Sequence, residues 1–302
     1  MRLCLCAAVL AALFVSAPSV RAHAPAGEPA GTVPCAHDPS WSVAQKPFRV
    51  HGNTWHVGPR GLGVFLVTSP AGHVLIDGGI PASATLIEDN IRSLGFDLRD
   101  VRWIVVSHAH CDHAGGVAQL ARDTGARVIA GAGDAPLLAR GGRDDPQYGN
   151  RFPFPAVRVA AKATDGYRLR VGDLVLSAHA TPGHTQGNTS WTWQSCAADR
   201  CLDVAFVGSL SGPGYRLVGN PRYPDAVRDF ERSFAVVAAL PCDVALAPHP
   251  EMVDFWERVE RREQGVPDAL VDPGLCREYA QEARAALREA VAQERKAATR
   301  RP

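Results

Sequence analysis

The sequence has 302 residues, of which 46% are hydrophobic and 21% are charged. This length and apolar content suffice for a sizeable core, and they exclude a chain that is disordered throughout. The formal net charge is +1 at pH 7, and no basic run stands out. Nucleic acid and anionic membrane are therefore not expected as partners.

The first 24 residues have the pattern of a secretory signal peptide. Arg2 is followed by an apolar run over 3–15, and Ala22-His23-Ala24 offers a cleavage site between small residues. The run is too short to span a bilayer, and a buried N-terminal helix is the alternative. We expect residues 1–24 to be removed, with cleavage after Ala22 as a second option. The mature protein is then expected in the periplasm.

Beyond a loose arm over 25–40, the sequence alternates between strand-like and helical runs that are separated by Gly and Pro. The predicted strands cover residues 48–51, 53–57, 63–68, 73–76, 101–106, 126–130, 156–160, 167–171, 174–180, 189–193, 203–207 and 243–247. The predicted helices cover residues 82–94, 114–123, 225–239 and 275–297. Because strands precede helices in each half, we expect one α/β domain over 25–302, with two β-sheets packed between outer helices.

Residues 141–155 have no periodicity and many breakers, which predicts a loop. A loop of this length is often functional. It carries the aromatic residues Tyr148, Phe152 and Phe154, and we expect it to form a lip over a binding site.

The strongest chemical signal is the run His-Ala-His-Cys-Asp-His at 108–113, directly after the apolar strand 101–106. Four potential ligands in six residues are not a core pattern, because buried His and Asp side chains need polar partners. In an extended turn the first two histidines project to the same side. Gly115 and Gly116 are expected to give the backbone the freedom to bend into the next helix.

Two further histidines stand beside breakers at predicted strand ends, His184 and His249. Imidazole and carboxylate ligands together suit zinc or a similar first-row ion. Three histidines make one site with a position left open for water, while Asp112, His113 and one more histidine make a second. Two neighbouring ions of this kind predict hydrolysis of an acyl or phosphoryl bond.

With these residues the sequence resembles the metallo-beta-lactamase superfamily. The segment 108–113 is similar to its signature, and Leu75-Ile-Asp-Gly-Gly79 to its early strand and turn. The segment 181–190 resembles a further ligand segment. The resemblance covers residues 41–297 and implies a four-layer αβ/βα sandwich of two β-sheets flanked by helices.

The stretch Phe206-Val-Gly-Ser-Leu-Ser211 narrows the resemblance. Glyoxalases and lactonases of the family carry an aspartate at about Ser209, and two β-lactamase subclasses carry a cysteine. Serine is a poor zinc ligand, so that His113 takes the ligand role instead. This pattern, together with segments 214–224 and 240–249, resembles the subclass B3 β-lactamases.

The B3 resemblance implies two Zn²⁺ ions per chain and assigns their ligands. The first site takes His108, His110 and His184, and the second takes Asp112, His113 and His249. Asp112 is also implied to be catalytic, because it orients the attacking hydroxide. Ser209 and Ser211 match positions that hold the substrate carboxylate, with cap or turn serines as the alternative.

The implied function is zinc-dependent hydrolysis of the β-lactam amide bond of penicillins, cephalosporins and carbapenems, which confers antibiotic resistance. The implied nucleophile is a zinc-bound hydroxide, without a covalent intermediate. A lactonase or thioesterase of the same fold is the enzymatic alternative, and an exported zinc-binding protein without turnover is the non-enzymatic one. We expect a monomer, and an oligomer stays open.

Six cysteines follow residue 24, and export favours disulfides, although six cysteines allow 15 pairings. Cys196 and Cys201 flank a turn between two strand-like runs, which suits a hairpin disulfide. A bridge between Cys242 and Cys276 would tie the last helix to the body of the domain.

Cys111 lies inside the metal motif. We expect a partly buried thiol that points away from the metals. A bridge to Cys35 is the less favoured alternative.

Overall fold

The computed structural model describes residues 35, 38–198 and 200–299. The predicted signal peptide lies outside the described residues, as does most of the arm predicted for 25–40. None of the helices in the described ranges is long and apolar enough to cross a membrane. Described residues of the arm lead into a short 3-10 helix, Pro39–Ser42, whose first turn is capped by the Asp38 carboxylate.

The first β-sheet contains seven strands that lie side by side in chain order. Its first four strands pair antiparallel, and the fourth to the seventh pair parallel. The strands are β1 (Phe48–His51), β2 (Thr54–His56), β3 (Phe65–Val67), β4 (His73–Ile76), β5 (Val101–Val106), β6 (Arg127–Gly131) and β7 (Val159–Ala163).

Side chains of this sheet alternate between two hydrophobic cores, because successive strand residues point to opposite faces. In β3, Phe65 and Val67 enter the core between the two sheets, while Leu66 enters the core on the outer face. In β4, Leu75 likewise faces outward, between neighbours that face inward. Both faces are therefore buried, which explains the consecutive apolar residues Ile104, Val105 and Val106 of β5.

The second β-sheet contains five strands in the order β12-β11-β10-β9-β8. Its strands are antiparallel except for the pair β11 and β12. They are β8 (Arg168–Val171), β9 (Leu174–Ala180), β10 (Thr189–Ala197), β11 (Arg200–Phe206) and β12 (Val244–Leu246). Trp191 and Phe206 of this sheet are fully buried in the core shared with the first sheet.

Helices cover the outer faces of both sheets. The first sheet packs against α1 through Ile87 and against α3 through Leu120. The second packs against α5 through Phe230 and against α7 through Leu287. The helices are α1 (Ser83–Ser93), α2 (Cys111–Ala114), α3 (Val117–Thr124), α4 (Ala135–Ala139), α5 (Ala226–Ala238), α6 (Phe255–Glu263) and α7 (Leu275–Thr299), with 3-10 helices Leu98–Asp100 and Pro250–Val253 besides Pro39–Ser42. Two mixed sheets between layers of helices confirm the predicted fold class.

The strand predicted for 156–160 differs from the structure, and the helices α2, α4 and α6 were not predicted. The strand predicted for 156–160 lies three residues later, as β7, because Val157 still pairs with Leu138 through its backbone rather than with β6. The helix α6 was not predicted, since Phe255 and Val259 are the only apolar residues that it buries. Its third buried residue, Arg258, donates hydrogen bonds to the carbonyl oxygens of Ala245 and other neighbours, so that a charged residue occupies a core position.

Three disulfides join the six described cysteines. Cys196 pairs with Cys201 across the β10–β11 hairpin, and Cys242 pairs with Cys276 at the start of α7, as the sequence suggested.

The third disulfide, Cys35–Cys111, corrects the prediction of a free thiol at Cys111. Because the partners are 76 residues apart, their proximity is a property of the tertiary structure.

Candidate metal centre and binding cavity

All six predicted ligands converge from three segments at strand ends, and Asp112 and His113 lie in the short helix α2. The segment 108–113 follows β5, His184 lies between β9 and β10, and His249 follows β12. The backbone N–H of Thr189 donates to the carbonyl oxygen of Ser107 at 2.8 Å, which joins the ends of the two sheets beside the site. The ligand set therefore draws on both halves of the domain.

Three histidines form the first cluster, as predicted. Ligand atoms of His108, His110 and His184 all lie within 4.8 Å of one another. His110 Nδ1 is 2.9 Å from His184 Nε2, and His108 Nε2 is buried without a hydrogen-bond partner in the described structure. The facing nitrogens define one candidate metal position.

The second cluster is nearly an equilateral triangle of ligand atoms. Asp112 Oδ2 lies 3.2 Å from His113 Nε2 and 3.3 Å from His249 Nε2, and the two nitrogens are 3.2 Å apart. His108 also lies within ligand range of Asp112 and His113, so the two clusters are neighbours.

These separations suit bound cations. Nitrogen ligands about 2.0–2.1 Å from a tetrahedral first-row ion lie about 3.3 Å from one another. The buried and unpartnered Nε2 atom of His108 gives independent support, because an unsatisfied polar atom in a protein interior is costly. The residues therefore fit a dinuclear metal site.

The remote nitrogens of two first-site histidines face hydrogen-bond acceptors. His184 Nδ1 donates to the carbonyl oxygen of Ser211 at 2.5 Å. His108 Nδ1 lies 3.0 Å from Ser107 Oγ, which donates to Asp77 Oδ2 at 2.7 Å. Such contacts fix the tautomer and leave Nε2 free to bind a metal.

Asp77 supports both clusters from a strained backbone. Its φ of 61° lies in the left-handed region, which residues other than glycine rarely adopt. In this conformation one carboxylate reaches Ser107 and also lies 3.5 Å from His113 Nδ1. The strain is thus associated with orienting two ligands of the segment 108–113, which are His113 directly and His108 through Ser107.

Burial sets the ionisation of the ligands in the metal-free protein. Loss of solvent lowers the pKa of His108 and of His184 well below the ordinary value, so that both imidazoles are neutral and keep a lone pair. Burial opposes ionisation of Asp112, but the charges and hydrogen bonds of His113 and His249 hold the pKa of its carboxyl well below the ordinary value. The first site thus offers two neutral imidazoles, and the second an ionised carboxylate. Burial disfavours a charged His113, but the neighbouring Asp112 carboxylate raises the pKa of this imidazole to about 10, so that His113 must lose a proton to bind a metal.

The glycines after the motif serve close packing rather than the expected flexibility. Gly115 and Gly116 have φ values of −60° and −83°, which any residue adopts. A Cβ atom on Gly116 would lie 2.3 Å from the carbonyl oxygen of Gly78, and one on Gly115 would lie 2.4 Å from Pro81 Cδ. The β4–α1 turn therefore approaches the motif too closely for a side chain.

A cavity of about 390 Å³ opens onto the two clusters. Trp41, Tyr148 and Phe152 form apolar parts of its wall, and Arg151 is the only Lys or Arg among the described lining residues. The loop 141–155 therefore does form a lip, although Phe154 is buried in the outer core of the first sheet.

The two predicted substrate-binding serines are not on the cavity wall. Ser209 is fully buried after β11, and its hydroxyl has no hydrogen-bond partner among the described residues. Ser211 is exposed, and its carbonyl oxygen supports His184. Their contact with substrate stays a prediction.

Asp134 is a supporting residue that the sequence analysis missed. Its buried carboxylate accepts hydrogen bonds from the backbone N–H of Ala109 at 2.8 Å, from Thr185 Oγ1 at 2.6 Å and from the N–H of Gly187 at 2.8 Å. It therefore joins the loop of His108 and His110 to the loop of His184. In the sequence, Asp134 directly precedes α4 and resembles an ordinary helix cap. Nothing in its local pattern therefore marked it as a residue that supports the ligands.

Comparison with known proteins identifies the family to which this fold and the two ligand clusters belong. The model of the metallo-beta-lactamase superfamily matches residues 58–249, and the chain belongs to that superfamily. Within it, the chain resembles the subclass B3 enzymes. It is 46% identical to Rm3 metallo-beta-lactamase, with a TM-score of 0.81 over 86% of this chain and 98% of that one. BJP-1, a subclass B3 enzyme of Bradyrhizobium japonicum, is 35% identical with the same TM-score and coverage.

Curated relatives with other activities also match, over shorter stretches. Hydroxyacylglutathione hydrolase of Anaeromyxobacter dehalogenans is 30% identical over 43% of this chain and 41% of its own length. N-acyl homoserine lactonase AttM of Agrobacterium fabrum is 30% identical over 42% of this chain and 57% of its own length. The chain thus spans about half the length of these relatives.

Proposed function

We propose that the protein is a periplasmic, zinc-dependent β-lactamase that hydrolyses the amide bond of penicillins, cephalosporins and carbapenems and so confers antibiotic resistance. The observation that carries the proposal is the pair of ligand clusters at the wall of a 390 Å³ cavity. Similarity to subclass B3 enzymes along 98% of their length supports the choice of substrate class.

Zinc is the metal that we assign to both sites. Five imidazoles and one carboxylate are ligands that suit zinc, and the first cluster of three histidines leaves a position for water. When bound, the two ions lower the pKa of water and stabilise negative charge on a carbonyl oxygen.

Asp112 is the catalytic residue in this proposal. Its Oδ2 atom faces His113 and His249, and the residue also lines the cavity. The second oxygen, Oδ1, can then accept a hydrogen bond from the attacking water and hold it in line with the scissile carbonyl. Because the pKa of this carboxyl is held low, it is ionised and able to accept at neutral pH.

The cavity wall binds the rest of the substrate. Trp41 and Phe152 provide apolar surface for the side chains of a β-lactam. Arg151 supplies a positive charge for the substrate carboxylate, since it is the cationic residue of the described wall. Ser211, two residues before the lining residue Pro213, remains a candidate for a second contact to that carboxylate.

The alternative is a lactonase or thioesterase, which the names of the curated relatives favour. A metal centre of this kind suits hydrolysis of any of these acyl bonds. The choice between the two activities therefore requires kinetic measurements on each class of substrate. Ser209, at the position where the resembling lactonases and glyoxalases carry an aspartate, favours the β-lactamase.

The experiment is a kinetic panel on the zinc-loaded mature protein. We expect turnover of a penicillin, a cephalosporin and a carbapenem, complete loss with EDTA, and recovery with zinc. Asp112→Asn should reduce kcat by at least about 100-fold, as expected for a group that acts on the attacking water. Higher kcat/KM on an acyl homoserine lactone or a glutathione thioester than on every β-lactam would replace the proposal with the alternative.

Export is tested separately. Expressed in a Gram-negative host, the full chain should be recovered from the periplasm with an N-terminus after Ala22 or Ala24. Recovery of an uncleaved chain from the cytoplasm alone would contradict the assigned localisation.

A further inference from the structure

We propose that Asp145 is a positioning residue, which orients His110 for metal binding and fixes the adjoining cavity loop with the same carboxylate. The inference rests on the metal site described above. Asp145 belongs to the loop 141–155, yet its side chain is only 6% exposed. A buried carboxylate in a surface loop requires partners that hold its charge.

The first partner is His110. Oδ2 of Asp145 lies 3.5 Å from Nε2 of His110, and both side chains are largely buried. This nitrogen has no hydrogen-bond partner within normal range in the described part of the chain. A shift of about 0.7 Å would form a charge-assisted hydrogen bond of ordinary length.

The tautomer of His110 determines what the contact with Asp145 does. Its Nδ1 atom faces His184 Nε2 at 2.9 Å and is therefore the ligand atom. A neutral imidazole that binds metal through Nδ1 carries its proton on Nε2, the atom that faces Asp145. A carboxylate in this place fixes the ring orientation and raises the basicity of the ligand.

The same carboxylate also builds the loop. Oδ1 of Asp145 accepts the backbone N–H of Gln147 and of Tyr148, both at 2.7 Å. The backbone of Asp145 pairs with Gly149 in both directions at 2.9 Å. Tyr148, held in this turn, places its ring 5.2 Å from that of His110 on the cavity wall. Metal ligand and cavity wall are thus held by the two oxygens of one side chain.

The test compares Asp145→Asn with Asp144→Asn in the mature protein. Asp144 is the matched control, because it is the adjacent carboxylate but is 72% exposed and pairs with Arg222. In chelator competition, Asp145→Asn should weaken zinc binding at the first site by about 10- to 100-fold. Asp144→Asn should leave zinc affinity within about threefold of wild type, since its loss removes only a surface ion pair.

Hydrogen exchange provides a readout that does not depend on activity. Zinc should protect the amides of residues 145–149 in the wild type and in Asp144→Asn, and this protection should be lost in Asp145→Asn. Equal zinc affinity and equal protection in all three proteins would overturn the proposal.

A measurement on the wild type covers the case in which Asp145→Asn does not fold. In zinc-loaded protein with ¹⁵N-labelled histidine, the His110 ring should show a proton on Nε2 that exchanges slowly with solvent. A proton on Nδ1 instead would overturn the assignment. Reduced zinc affinity in Asp145→Asn together with no β-lactam turnover by the wild-type protein would retain this inference and reject the proposed function. Unchanged zinc affinity in Asp145→Asn together with β-lactam turnover by the wild-type protein would reject only the inference.

Discussion

At the level of single residues, the cavity combines the candidate metal centre with the cationic side chain of Arg151. The Arg151 guanidinium lies over the Phe152 ring, 5.0 Å from its centroid, and this contact holds it at the cavity wall. The substrate carboxylate was expected at Ser209 and Ser211, neither of which lines the cavity. The position of a charge relative to a cavity is set by the loop conformation, which no local pattern in 141–155 specifies.

We predict that Arg151→Gln raises KM for a penicillin about fivefold to tenfold and leaves kcat nearly unchanged. A partly solvated ion pair contributes about 1 kcal/mol, and it binds ground state and transition state alike. Steady-state kinetics on a penicillin and on its methyl ester check this. The methyl ester should show no such rise in KM.

Arg143→Gln is the matched control, because Arg143 is an exposed arginine of the same loop that does not line the cavity. An equal rise in KM for the ester and the free acid would contradict a carboxylate contact at Arg151.

At the scale of elements, the disulfide between Cys35 and Cys111 ties the N-terminal arm to α2, the helix that carries Asp112 and His113. Cys35 also packs against the small cluster of Trp41, Leu62 and Ile80, of which Trp41 forms part of the cavity wall. The bond thus joins a segment remote in sequence to the metal-binding helix and stabilises that side of the cavity.

We predict that the double variant Cys35→Ser/Cys111→Ser loses roughly 4 kcal/mol of unfolding free energy, from the loop entropy of partners 76 residues apart. The matched control, Cys196→Ser/Cys201→Ser, should lose only roughly 2 kcal/mol, because its partners are five residues apart. Urea denaturation of the oxidised proteins measures both. Equal losses in the two variants, or two free thiols in the wild type by mass spectrometry, would reject this account.

At the scale of the whole molecule, the metal centre spans the two sheets. The segment 108–113 follows a strand of the first sheet, whereas His184 and His249 adjoin strands of the second. A bound ion therefore links both halves of the domain, and metal binding is coupled to folding.

We predict that removing zinc destabilises the folded protein. At free zinc about 1,000 times the dissociation constant, each occupied site adds about 4 kcal/mol to the unfolding free energy, provided that the unfolded chain binds no zinc. For a domain of this size the midpoint should fall by on the order of 10 °C in EDTA. Thermal unfolding monitored by circular dichroism tests this, with Mg²⁺ as the control ion. Identical midpoints with zinc and with EDTA would contradict a metal that joins the two halves.

Elements with a local signal could be predicted from the amino-acid order. The buried residues of β5, α1 and α7 follow a regular order along the chain, so these elements could be located from side-chain order alone. The ligand spacing in 108–113 is also local, and with His184 and His249 it indicated the two groups of side chains that the structure brings together. Helix α6 was not predicted because Arg258 occupies a core position, where the carbonyl oxygens of Ala245 and Leu270 accept hydrogen bonds from its guanidinium.

Which residues support and surround those ligands depends on the tertiary structure. Asp134, Asp145 and Arg151 lie in segments without periodicity, and Cys35 is 76 residues from its partner. Each acts through atoms that loop packing brings together, so its role depends on distances that the order of residues does not encode. The metal ligands were readable because their chemistry is rare and closely spaced. The residues that support them could not be predicted, because a carboxylate or an arginine in a loop has no distinctive local pattern. Its role depends on the partner that the fold places beside it.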